Sequence, residues 1–183
     1  MTLRFTALLV ILVAAPLGAQ STPTPEAAAT ALSSALANQD WPGAARLMHP
    51  AALRQLRELF ALALTNEKLG EARTRLFGFG SVAEASAAPD TVLFAKLIEK
   101  LLTQQPGVIA ALKSATSTPM GHVQVSDTAF VLVRMVLKSG PVPVTQFDVM
   151  PFVKDGQNWK GGLKADFTNL AGMLKSLVAP VGG

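Results

Sequence analysis

Four side chains in this sequence stand out as candidates to move protons: Asp40, His49, His122 and Asp148. A histidine titrates near neutral pH and a carboxylate can orient it, so these types permit acid/base catalysis without a metal, provided they face one cavity. Asp40 and His49 fall within DWPGAARLMHP, residues 40–50, beside Trp41, an aromatic that could line such a cavity. Each also has a plainer role. His49 sits just before Pro50, at a helix end, where its ring can bond terminal carbonyls and its cationic form suits the dipole. Trp41 and Trp159 fit core anchors whose indole protons find acceptors. His122 opens a strand, where a water-facing edge position serves as well as a pocket.

The same residues argue against other chemistries. The two histidines stand 73 positions apart with no third ligand at useful spacing, so no metal site is expected. Cysteine is absent, which excludes disulfides, thiolate metal sites, a thiol nucleophile and the lipidated cysteine of a membrane-tethered lipoprotein. Gly78, Gly80 and the Gly161-Gly162 pair lack the following lysine and serine of a phosphate loop, so no nucleotide cofactor is expected. The chain contains no tyrosine either.

Arg134 interrupts VLVRMVL, a strand-like run whose other members are apolar. A loop symmetric about Pro141 would set Arg134 opposite Asp148. Opposed charges across a sheet contribute roughly 0.2 to 1 kcal/mol and need no ligand. If both instead point into a concave face, they could bind an anion or a polar ligand, with Phe130 and Leu132 as the apolar surroundings.

The elements that must hold these residues change character along the chain. Thr24, followed by Pro25 and Glu26, caps a helix whose apolar stripe ends at Asn38-Gln39. Asp40 caps a short second helix that His49-Pro50 ends. A third runs from Pro50 to about Leu64. The segment EKLGEARTRLF reads as helix, and GFGS and AEASAAP as loop. Asp90 caps a helix with a wide apolar stripe from Val92 to Leu102, and a short helix follows at Pro106 to Lys113. After residue 117 the apolar period becomes two. Strands are expected at 122–125, 128–138, 144–154 and 159–164, with Asp155-Gly156 as a hairpin turn. Asp166 caps a last helix, stopped by Pro180. Helices first and a meander afterwards give an α+β class: N-terminal helices on a curved antiparallel sheet of about four strands, with a C-terminal helix.

The first nineteen residues, MTLRFTALLVILVAAPLGA, carry one cation, an eleven-residue apolar run and a small-residue end, the layout of a cleaved signal peptide. The run is short for a bilayer-spanning helix. A single domain at 20–183, periplasmic or secreted and without a stable membrane anchor, is the expectation. Loss of the leader removes Arg4 and no acid, so the formal charge falls from +4 to +3. No like-charged run exceeds two residues, so nucleic acid is not expected as a partner.

ALSSALANQDWPGAARLMHPAALRQL, and later SDTAFVLVRM with FVKDGQNWKGGL, resemble the nuclear-transport-factor-like superfamily, the α+β cone fold that includes ketosteroid isomerases and polyketide cyclases. The resemblance implies opening helices broken at a Trp corner and a His-Pro step, with strands and a late Asp-Gly hairpin behind them. Ketosteroid isomerase needs a tyrosine as oxyanion donor, which this chain cannot supply. The expected function is therefore an exported, noncatalytic domain that binds a small ligand or an envelope protein, or pairs with a second copy. Trp41, His49, Phe130, Leu132, Arg134 and Asp148 are its candidate contacts. The rival is a metal-independent cyclase, isomerase or dehydratase using Asp40, His49 or Asp148 in a closed pocket.

Overall fold

The structure is a computed structural model that describes residues 21–137 and 143–178. The leader with its cleavage site, the loop around Pro141 and the stop at Pro180 lie outside the described residues. The fold is α+β, with helices before and after an open, four-stranded antiparallel sheet.

Helix α1 spans Pro25–Ala37, with Thr24 accepting from the Ala27 amide as its cap. Its buried residues Ala28, Ala29 and Leu32 are mostly small, which lets it lie close to the sheet, and it touches every strand. Helix α2, Trp41–Arg46, starts at a capping bond from the Gly43 amide to Asp40 Oδ1 at 2.8 Å. A side chain at position 43 would collide with that carboxylate, so Gly43 belongs to the cap.

Helix α3 spans Pro50–Leu59 and α4 spans Ala61–Thr65. The single helix expected through Leu64 is thus broken at Phe60, whose buried ring meets Phe77 edge-on, centroids 5.5 Å apart. After a turn at Glu67–Leu69, α5 covers Gly70–Phe77. Helix α6, Val82–Ala87, occupies the stretch read as loop, with Ser81 accepting from the Glu84 amide. Helix α7, Asp90–Thr103, has Pro89 in the capping position, so Asp90 lies in its first turn and is not its cap. It buries Leu93, Phe94 and Leu97 and meets α2, α3 and α5. Helix α8 spans Pro106–Ser114.

The strands are β1 (Thr116–Val125), β2 (Thr128–Leu137), β3 (Val144–Asp155) and β4 (Asn158–Gly161), ordered β1-β2-β3-β4. The last helix, α9, is Ala165–Val178, so Asp166 lies in its first turn and is not its cap; Phe167 packs against Phe94 of α7. β1 begins at Thr116, earlier than the alternation showed, and carries an irregularity between Pro119 and Gly121. β4 stops at Gly161, short of the expected Lys164. Its outer edge is met by segments distant in sequence: the Trp159 amide donates to Thr22 O, and the His49 amide to Gly161 O, both at 2.8 Å.

One face of the sheet is core. Ala129, Val131 and Val133 of β2 and Phe152 of β3 are fully or almost fully buried under the helices. Because side chains alternate, their neighbours along each strand point the other way.

Candidate functional site

On that other face, Phe130 stands between Val123 of β1 and Pro151 of β3, and Leu132 between Gly121 and Val149. Arg134 stands between Thr118 and Phe147. Among the described residues no helix covers them: Val123 is 68 %, Phe147 62 % and Val149 51 % exposed, and Phe130 and Leu132 each about two fifths. A meander buries one face and ordinarily hydrates the other. Here both faces are apolar, and a contiguous exposed apolar area of this kind marks a contact surface.

Phe130, Leu132 and Arg134 therefore come together. Asp148 does not join them. The strand pairing sets Arg134 opposite Phe147 and Asp148 opposite Val133, one residue away from the expected register. A one-residue shift turns a side chain to the other face. Asp148 is half-buried on the helix-covered side, where Lys164 Nζ donates to both of its oxygens at 2.8 Å.

Each histidine is held by a structural bond. His49 lies between α2 and α3 but serves the second of these. Its Nδ1 accepts from the Ala51 amide at 3.1 Å, which makes it the N-cap of α3 and not a cap on the carbonyls that end α2. His122 Nδ1 lies 2.6 Å from Glu26 Oε1, tying β1 to the first turn of α1. The hydrogen bond with His122 holds the Glu26 carboxyl below its ordinary value of 4.5. Asp155 is likewise held low, chiefly by the bond from Lys160 at 2.8 Å.

Two open grooves flank α2. The first, about 410 Å³, lies where α2 ends and α3, α7 and β4 approach, over Met48 and Leu53. The second, about 530 Å³, runs between α2 and α7 and takes in Trp41, Val92 and Ala95. Neither histidine and neither Asp40 nor Asp148 lines them. Trp41 is thus placed in a groove, whereas Trp159 is a core residue, 6 % exposed. Among the described residues no three metal-ligating side chains gather, and no helix is long and apolar enough to cross a membrane.

Arg46, Arg54 and Lys160 also line the first groove, and no local sequence signal marks them. Arg46 and Arg54 sit eight positions apart on different helices, and Lys160 arrives from β4. No known family, curated protein or solved structure matches the chain.

Proposed function

We propose that this chain is an exported, noncatalytic interaction domain that works through the outer face of its sheet, with a second copy of itself as the partner. The observation that carries this reading is the uncovered apolar face centred on Phe130 and Leu132. β2 has ten residues; at about 3.4 Å each it is roughly 34 Å long, and three strands are about 14 Å wide. The plane is then about 480 Å² per copy, so two stacked faces hide about 1,000 Å² in total before side-chain relief is added. That reaches the lower bound for a specific interface. A two-fold pair also covers the same residues on both subunits and leaves no apolar remainder. Arg134, Thr118 and Thr145, at one end of the face, supply a polar rim.

Export is supported by the three-part leader. The order of helices, four-stranded meander and last helix is compatible with a place in the nuclear-transport-factor-like superfamily, which we keep as part of the proposal. An acid/base enzyme finds no support, since the candidate groups are engaged in structural bonds and do not converge on either groove.

Sedimentation of the mature chain, 20–183, tests the reading. At micromolar concentration the expected species is a dimer. Phe147→Glu and Leu132→Glu, both at exposed positions, each give monomers with unchanged circular dichroism. A wild-type monomer across that range overturns the proposal.

A further inference from the structure

The two grooves beside α2 form one trough, because Ala45, Arg46 and Thr91 border both. Both volumes fall within the range of small-molecule sites, about 300 to 1,000 Å³. The ends differ in chemistry. One presents Trp41, Pro42, Val92 and Ala95, an apolar bed. The other sets Arg46, Arg54 and Lys160 above Met48 and Leu53.

Pairing the charges shows what the cationic end lacks. Lys160 is matched by Asp155 at 2.8 Å, and the lining carboxylate Asp90 by Arg57 at 2.5 Å. Arg46 has Asp40 at 4.0 Å, a pair with both ends more than half exposed and so weakened by water. At the other end Lys96, whose ammonium lies over the Phe79 ring, and Glu99 carry opposite charges that sum to zero. Among the described residues Arg54 has no carboxylate partner, so the trough carries one cation in excess.

We infer that this trough binds an amphiphilic monoanion, an apolar chain ending in a carboxylate, with the chain along Trp41 and the carboxylate at Arg46 and Arg54. Guanidinium groups match a carboxylate with paired N–H donors, and one excess charge suits a monoanion better than a phosphate of nearly two. The inference does not depend on the sheet face, which lies on other residues.

Laurate carrying bromine on its chain tests it, because bromine in contact with an indole quenches its fluorescence. The mature protein is expected to lose Trp41 emission on titration, while Trp41→Phe, which keeps the buried Trp159, shows no quenching. Arg54→Glu and Arg46→Glu, at exposed positions that leave thermal melting unchanged, weaken binding about tenfold or more. Phe147→Glu binds as wild type. Unbrominated laurate displaces the probe, and lauryl phosphate does so at least about tenfold less well. Equal binding of bromine-tagged lauryl alcohol, wild-type binding by Arg54→Glu, or loss of binding in Phe147→Glu overturns the inference; the last result would place the ligand on the sheet.

Discussion

The corner that opens α2 makes a double substitution informative. A Cβ on Gly43 would stand 2.9 Å from Asp40 Oδ1 and closer still to Cγ and Oδ2, so the three nearest atoms all belong to that carboxylate. Asp40 is half exposed, so in Gly43→Ala its carboxylate can swing into water, and the 2.8 Å cap bond is lost with it. Loss of such a cap costs about 1 kcal/mol. Alanine in place of a helical glycine returns up to about 1 kcal/mol. Gly43→Ala is therefore expected to be nearly neutral in the wild type. Asp40→Ala alone loses the cap and about 1 kcal/mol, which in a chain of this size lowers Tm by about 2–4 °C. The double variant has neither cap nor collision and returns to about the wild-type Tm. The two sites are thus coupled by about 1 kcal/mol: Asp40→Ala matters while glycine holds position 43 and not once alanine replaces it. Thermal melts of the four proteins measure this. Additivity within about 0.3–0.5 kcal/mol, with Gly43→Ala stabilising both backgrounds equally, would refute the collision.

Two further outcomes follow from half-buried polar contacts. Arg57 of α3 ties Asp90 of α7 at 2.5 Å and donates to the Ala88 carbonyl at the end of α6. Arg57→Ala is expected to cost about 2 kcal/mol, since it orphans a carbonyl and a carboxylate, and Arg57→Lys recovers little because one ammonium cannot span both acceptors; chemical denaturation reads the difference. Glu26 has a carboxyl pKa held below 4.5 by His122, so its contribution is complete above that value and disappears as pH falls below it through the folded-state pKa. Urea midpoints between neutral pH and pH 3 should fall less steeply in Glu26→Gln; parallel curves would show that the pair does not link α1 to β1 in solution.

What the sequence disclosed and what it withheld divide by the range of the interaction. The Thr24 and Asp40 caps were legible because each bonds an amide three residues on. The Ser81 cap is equally local, with Glu84 reaching back to the Gly80 amide, but the loop-like composition of AEASAAP outweighs it. A proline says where a helix cannot continue, not which helix the preceding ring will serve, so the sequence alone gives His49 to the wrong one. The register error has a similar root. β2 and β3 pair Leu137 with Val144, which places the centre of the connection between residues 140 and 141 and not on Pro141. That half-step moves Asp148 to the other face, where its partner Lys164 lies beyond the end of β4 and no strand pattern links the two.

The choice of buried face was harder still, because β2 alternates between two apolar sets. One is Ala129, Val131 and Val133; the other contains Phe130 and Leu132, the bulkier side chains and the more obvious core. The helix decides. α1 presents Ala28 and Ala29 at 2 % and 0 % exposure, so it can come close only to a strand face that is also small, and Ala129 at 0 % supplies it. Packing the bulkier set under α1 would force the layers apart and leave the alanines over a void. Close approach on one side therefore puts the larger apolar side chains on the other, facing water. The exposed face is in this sense a consequence of how α1 packs, which is why enlarging Ala28 or Ala129 should disturb the fold while changes at Phe147 should disturb only association.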